Sequence, residues 1–444
     1  MSNPIILLCN PPTPQNKTAD REAAYGMGAL REAGMPARPP HTLAWCAAVL
    51  DQTGWKVSGL DAVAENLGVE ATLTRISTCS PDILVLLVSP QTAQSDLAFI
   101  RFLRNRFPHV RLLLVGLATR YLPSSLVKAS DMVLTGEPEG AIDAACRYLL
   151  AEDKPVGVLP AHTLVPSMYN LRGNLLELNH LPRPAWEFFP VKQYPYLPIV
   201  ASRGCAGGCR YCPAPLTQGP INRVRAGEQV ATEMHLMYTR YGVREFCFID
   251  PLFAVDRAQT IALCETIMQF GLPFNISWRC ETRPEQLDTS LLEQMSRAGC
   301  RTIELGLESV SPQTLIATGR LPNEQAVQQY LAHIRQIVGT CRKIHIDCRL
   351  HVIAGLPGDR AGASATRAFV RAYSPNSIQA APLTPYPGTS IFPTNQINRE
   401  LSLLQNNTPS QRVARRKSKS SPWQQAFSRM SNVLFVALSR AGVA

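Results

Sequence analysis

Three cysteines, Cys205, Cys209 and Cys212, form a C-x3-C-x2-C pattern within Arg203-Gly-Cys-Ala-Gly-Gly-Cys-Arg-Tyr-Cys-Pro213. Three thiolates on one short loop can hold three irons of a [4Fe-4S] cube, since cysteine thiolate is the usual iron–sulfur ligand. The fourth iron is then left without a cysteine, and an iron with an open position can bind a small molecule and pass it an electron. Gly204, Gly207 and Gly208 allow the backbone to curl around such a cluster. Two other uses of the triplet make further demands. A structural zinc site closes with four ligands, and the nearest additional donors, Cys247 and His235, sit in segments that read as strand and helix. A disulfide needs an exported chain, and nothing indicates export.

The elements that must carry this loop are legible as two alternating series. Ile5–Cys9 is a short apolar run stopped by Asn10-Pro-Pro-Thr-Pro14. Thr42–Asp51 reads as an amphipathic helix, 55–60 as a strand, 82–88 and 110–115 as buried strands separated by a helix over 97–106. A last short strand at 131–134 leads through Gly136-Glu-Pro-Glu-Gly140 into a helix ending near Leu150. Strands alternating with helices predict a parallel, doubly wound sheet, whose ligands bind beyond the carboxyl ends of its strands. Those ends are the loops after Leu8, Val88, Val115 and Leu134. From 151 to 198 periodicity fades and prolines accumulate, which reads as a linker. The second series has helices over 225–241, 258–270 and 291–298, and strands over 245–249, 274–278, 302–305, 343–353 and 377–380. With the strand entering the cysteine loop this makes about six βα units, short of the eight of a closed barrel, and an incomplete barrel leaves a lateral opening.

A chain of 444 residues suggests two domains, and 45% hydrophobic with 17% charged residues describes a globular protein. The first residues lack a basic n-region and no apolar run reaches membrane-spanning length, so a cytoplasmic location is expected. The ten cysteines outside the triplet are scattered singly through apolar segments, as reduced core thiols are. Part of the net charge of +11 is local, in Arg412, Arg415, Arg416, Lys417 and Lys419. After these come Trp423, Phe427, Met430, Leu434, Phe435 and Leu438 near one helical face. This tail, 395–444, fits either a helix lying on an anionic membrane surface or a terminal helix docked on the body.

Beyond the triplet, several segments resemble the radical S-adenosylmethionine (SAM) superfamily. Cys205, Cys209 and Cys212 match its cluster ligands and Tyr211 the aromatic position before the third cysteine. Glu245-Phe-Cys-Phe-Ile-Asp-Pro-Leu-Phe253 is similar to its second strand and following loop, Gly306-Leu-Glu-Ser309 to a segment that helps hold SAM, and Ile353-Ala-Gly-Leu-Pro-Gly358 to the turn near the adenine. Pro382-Leu-Thr-Pro-Tyr-Pro-Gly-Thr389 is similar to the sixth-strand exit. The order of these motifs over roughly 199–392 is more specific than any one of them. The first part resembles the cobalamin-binding domain joined to this barrel in a subfamily of methyltransferases and protoporphyrin ester cyclases, through Arg38-Pro-Pro-His-Thr-Leu-Ala44, Ser89-Pro-Gln-Thr92 and Gly136-Glu-Pro-Glu139. Two departures stand out: no Asp-x-His-x-x-Gly occurs, and Val115-Gly-Leu-Ala-Thr119 lacks paired glycines.

The resemblance therefore implies an α/β protein in two parts. The first is an N-terminal doubly wound, Rossmann-like domain of cobalamin-binding type over 1–150. After the linker comes a partial (β/α)6 TIM-like radical SAM barrel over 199–394, then a C-terminal helical tail. It implies a [4Fe-4S] cluster, SAM chelated to the open iron and split reductively, and cobalamin. Glu308, Ser309, Gly306, Gly355, Tyr211, Trp278 and Arg279 would face SAM. Ser89, Thr92, Gly116, Gly136 and Glu137 would adjoin cobalamin. His41, His345 and His351 read as core or surface histidines.

The leading expectation is methylation of an unactivated centre in a small-molecule or lipid-like substrate, served by an external electron donor such as flavodoxin or ferredoxin, with no specific nucleic acid. Cyclisation or oxidation without methyl transfer uses the same domains. RNA thiomethylation would require a second cysteine cluster upstream, where only Cys9, Cys46 and Cys79 precede Cys146. A vestigial scaffold with a basic tether is the non-enzymatic alternative. The side chains facing the cavity are expected to be largely apolar.

Overall fold

The computed structural model describes residues 4–14, 17–151, 164–166, 176–358, 362–373 and 375–392. The first sheet contains β1 (Ile5–Asn10), β2 (Lys56–Asp61), β3 (Ile83–Leu87), β4 (Arg111–Val115), β5 (Met132–Thr135) and β6 (Leu164–Pro166), in the order β2-β1-β3-β4-β5-β6 and parallel throughout. Successive strand residues point to opposite faces, and here both faces are buried. Ile6, Leu8, Val85, Leu113 and Val115 belong to one apolar core with helices His41–Gln52 and Ile142–Leu150. Leu7, Cys9, Leu84, Leu86 and Leu114 belong to a second, with helices Val69–Cys79 and Ala93–Arg106. This is the doubly wound arrangement the alternation implies, with its switch point beside β1.

The second sheet runs in sequence order: β7 (Leu197–Ile199), β8 (Glu245–Phe248), β9 (Ser277–Thr282), β10 (Cys300–Glu308), β11 (Asp347–Ala354) and β12 (Ser377–Pro382). All neighbours are parallel, and β7 and β12 are free edges, so the barrel is open on one side. Three of its outer helices begin with side-chain caps: Asp256 accepts from the Gln259 N–H, Asp288 from Leu291 and Asn323 from Ala326, each worth about 1 kcal/mol.

The proline-rich stretch before β7 is packed. Trp186 is fully buried and joins the core of the first sheet to that of the barrel, while Trp45 Nε1 donates to the Pro182 carbonyl at 3.0 Å.

The structure corrects two strand assignments. Residues 274–276 are a turn, with the Asn275 and Ile276 N–H groups donating to the Leu272 carbonyl, and Phe274 is 98% exposed. The strand starts at Ser277 instead. The segment 343–346 is likewise not strand, because the helix Glu324–Lys343 runs into it and His345 turns left-handed at φ 57°. Several elements have no counterpart in the sequence reading, among them the helices Val69–Cys79, Glu324–Lys343 and Gly362–Tyr373, the strand β6 within the stretch read as linker, and a hairpin of Lys17–Asp20 with Ala29–Glu32. The tail 395–444 lies outside the described residues. Among the described residues, no helix is long and apolar enough to cross a membrane.

Candidate active site

The cysteine loop leaves a two-residue strand, Ser202–Arg203, paired antiparallel with Arg223–Val224. Gly204 follows at φ 80°, and a Cβ there would lie 2.0 Å from the Ile221 carbonyl oxygen, so this corner admits only glycine. Asp250, in the loop after β8, accepts the backbone N–H groups of Ala201 and Ser202 and fixes the loop's entry. Burial pushes its carboxyl up to about 6, against the pull of those bonds. Cys205, Cys209 and Cys212 are half-buried and unpaired. The Gly207 N–H donates to Cys205 Sγ at 3.3 Å, and Arg320 Nη1 lies 3.8 Å from Cys209 Sγ. Three thiols on one glycine-turned loop, served by an N–H and a guanidinium, fit a thiolate-held iron–sulfur cluster.

Opposite the loop stands the end of β10. Glu308 is buried in a left-handed conformation at φ 62°, a strain of about 1–3 kcal/mol. Among the described residues its Oε2 has no hydrogen-bond partner, and neither has the hydroxyl of nearby Tyr211. Burial pushes both groups up in pKa. Arg320 Nη2 donates to the Gly306 carbonyl at 2.9 Å, and Tyr330 donates to the same oxygen. A Cβ at Gly306 would lie 2.6 Å from Glu308 Oε1. Orphaned buried polar atoms beside the cysteine loop fit a polar ligand such as SAM. Ser309 is buried, with its hydroxyl accepting the Ser311 N–H, and Gly355 ends β11 in a left-handed turn at φ 87°.

Not every nominated residue joins this group. Trp278 sits near the start of β9, is 1% exposed, and donates from Nε1 to the Ala298 carbonyl at 2.8 Å; packed against Phe248 and Phe253, it is core. Arg279, one residue on, points to the barrel's inner face and stacks over Tyr196 at 4.4 Å.

In the first domain the side chains nominated for cobalamin are spent internally. The hydroxyls of Ser89 and Thr92 are 2.6 Å apart, and Thr92 donates to Asp96, which also binds Arg21. Ser89 is further enclosed by Gly28, where a Cβ would lie 2.0 Å from its Oγ. Gly116 adopts φ 148°, and a Cβ there would lie 2.5 Å from the Val88 carbonyl oxygen. Gly136 turns left-handed at φ 94°, and Glu137 is fully buried between Arg203 and Arg223. The loops do meet at the carboxyl ends of the strands, but these hydroxyls and this carboxylate do not fit as free contacts to a nucleotide tail. Backbone remains to line such a site.

Glu137 and Glu139 instead tie the domains together. Arg203, 3% exposed, contacts Glu137 at 3.3 Å, pairs with Glu139, and lies 4.3 Å over the Trp45 ring. Among the described residues Cys9 and Cys46 lie in different cores of the first domain and Cys79 ends a helix, so these three are not gathered into one cluster.

The inner face of the barrel differs most from expectation. Alternation along β9, β10 and β11 turns Arg279, Glu281, Glu304, Arg349 and His351 inward, a charged surface and not an apolar one. His351 Nδ1 lies 3.8 Å from Glu281 and Nε2 3.3 Å from Glu304, which Arg349 also approaches at 3.3 Å. Burial opposes the charged ring, but the two carboxylates outweigh it and its pKa is pushed up to about 10.

An unfolded histidine titrates near 6.5. The stabilisation from a raised pKa is therefore complete below about pH 6.5 and lost as pH rises through about 10. The stability advantage of wild type over His351→Gln in urea melts should shrink between about pH 7 and about pH 10; a difference independent of pH would refute the assignment.

Residues 199–360 match the Radical SAM superfamily. An uncharacterized methyltransferase of Pyrococcus horikoshii is 24% identical over 373 residues, 80% of this chain and 78% of its own. The radical SAM methyltransferase TsrM of Kitasatospora setae superposes with a TM-score of 0.70 at 16% identity, over 87% of this chain and 75% of its own. The cobalamin-dependent SAM radical enzyme OxsB superposes with a TM-score of 0.65 at 14% identity, over 91% of this chain and 55% of its own. At these identities the structural likenesses show a shared two-domain fold.

Proposed function

The chain belongs to the radical SAM superfamily through residues 199–360, and from that premise we propose that it is a cobalamin-using methyltransferase acting on an unactivated centre of a small molecule. The observation that carries the reading is the half-buried cysteine loop near Glu308 on an open barrel, tied to a doubly wound domain where Arg203 pairs with Glu137 and Glu139. The likeness in fold to two enzymes of cobalamin and SAM supports the second cofactor.

When bound, the cluster and SAM supply a reductive split of the sulfonium, and cobalamin supplies a methyl carrier. The residues of the chain position and enclose these groups. Cys205, Cys209 and Cys212 would hold the cluster. Arg320 places a positive charge beside the Cys209 sulfur and, with Tyr330, pins the Gly306 carbonyl. Glu308, whose buried oxygen is otherwise unpartnered, would accept a hydrogen bond from SAM. Asp250 fixes the approach to the loop, and Arg203 holds the loop against the first domain. Reducing electrons come from an external donor.

The test is anaerobic reconstitution. Iron and sulfide should load the chain, cobalamin should remain bound through gel filtration, and strong reductant should yield 5′-deoxyadenosine together with cobalamin-dependent S-adenosylhomocysteine. S-adenosylhomocysteine formed without any bound cobalamin would refute the methyl-carrier reading, while nucleoside alone would favour radical chemistry without methyl transfer.

A further inference from the structure

Two carboxylates and an imidazole meet on three adjacent strands of the barrel: Glu281 on β9, Glu304 on β10 and His351 on β11, with ligand atoms within 4.8 Å of one another. Such a trio can hold a cation, but its geometry favours another use. Glu281 faces Nδ1 of His351 and Glu304 faces Nε2, on opposite sides of the ring. Two carboxylates within ion-pair distance of one ring favour its charged form.

The neighbouring charges then leave an excess of positive charge. Arg279, Arg349 and His351 are three cations set against the two carboxylates Glu281 and Glu304. Arg38, which approaches from the first domain, has its own partner in Asp20. Among the described residues no carboxylate oxygen lies within ion-pair distance of Arg279, whose neighbours are the Tyr196 ring and the Cys247 thiol. The surface is open to solvent, since Arg349 and Glu281 side chains are 41% and 43% exposed.

We propose that this inner face is a recognition site for an oxyanion of the substrate, a carboxylate or phosphate group, with Arg279 as its anchor and His351, held between Glu281 and Glu304, as a second positive charge beside it. A guanidinium presents paired N–H groups that match either oxyanion. A lipid-like acceptor packed over this face would strip water from the charges without partnering them, at a desolvation cost, so the site favours a water-soluble acidic molecule. The proposal rests on the reading that substrate enters the barrel of a SAM-cleaving enzyme.

The experiment uses the full chain, anaerobically reconstituted, with inorganic phosphate and acetate as separate probes. Arg279 is expected to react with phenylglyoxal, read by peptide mass spectrometry, and to be protected saturably by at least one probe; which one protects assigns phosphate or carboxylate. Binding of that probe by calorimetry should weaken about tenfold or more in Arg279→Met. Arg279→Lys keeps the charge but loses the paired N–H groups, and substitutes if the methionine variant does not fold. Failure of both probes to protect, or an Arg279 that never reacts, would overturn the proposal. A parallel loss of SAM affinity in the variant would assign the guanidinium to the SAM carboxylate and overturn it too. Nucleoside formation without oxyanion binding defeats this site alone, whereas oxyanion binding without SAM cleavage defeats the proposed function alone.

Discussion

Cys209→Ala is expected to reduce reductive SAM cleavage to background while leaving the fold intact. Three thiolates are the minimum set that anchors a cube and leaves one corner for SAM, and two cannot hold it in one orientation. The fold should survive because Cys209 is half-buried and its sulfur makes only a long contact, 3.8 Å, with Arg320. Arg320 keeps its bonds to the Gly306 carbonyl and Tyr330 in the variant. Iron content, the visible charge-transfer bands and 5′-deoxyadenosine yield should fall together, while far-ultraviolet circular dichroism stays that of wild type. Unchanged nucleoside yield would remove the cluster from the chemistry.

Arg203→Met should destabilise the protein by about 3–5 kcal/mol, the cost of leaving a buried charge without its partner. Arg203 is 3% exposed and serves both Glu137 and Glu139. In the variant Glu137 retains Arg223, but Glu139, 4% exposed, loses its cation. Because residue 203 directly precedes the cysteine loop, the variant should also lose iron faster than wild type during anaerobic dialysis. Urea unfolding and an iron-release time course check both parts. A stability change under about 1 kcal/mol would show that this pair behaves as an exposed one does.

Much of this architecture was legible because its signals are local. Paired apolar runs such as 83–87 and 111–115 announce buried parallel strands, and the cysteine spacing announces its own chemistry. The misplaced strand at 274–278 had a larger consequence than its few residues suggest. Once the strand is set at Ser277–Thr282, period-two alternation puts Arg279 and Glu281 on one face and Trp278 and Cys280 on the other. That single shift separates the core tryptophan from the inward arginine, two residues that were grouped at one site. Other parts of the site were beyond local reading. Arg320 reaches Cys209 across 111 residues of chain and Tyr330 enters from the next helix, so no spacing announces either. Ser89, Thr92 and Glu137 show the reverse: their positions after strands suggested ligand contacts, but a hydroxyl or carboxylate there is equally able to bind its own protein.

The pairing of Arg203 with Glu139 spans 64 residues, which has a consequence for how the chain is made. At about 5–20 residues per second, translation leaves a gap of roughly 3–13 s between the two partners. Through that interval the nascent first sheet holds acids destined for the interior with no counter-ion yet emerged, so the loop bearing them stays hydrated. Completion of the amino-terminal half thus waits on the first residues of its successor, and the cluster-bearing segment acts as the latch that ends the folding of what precedes it.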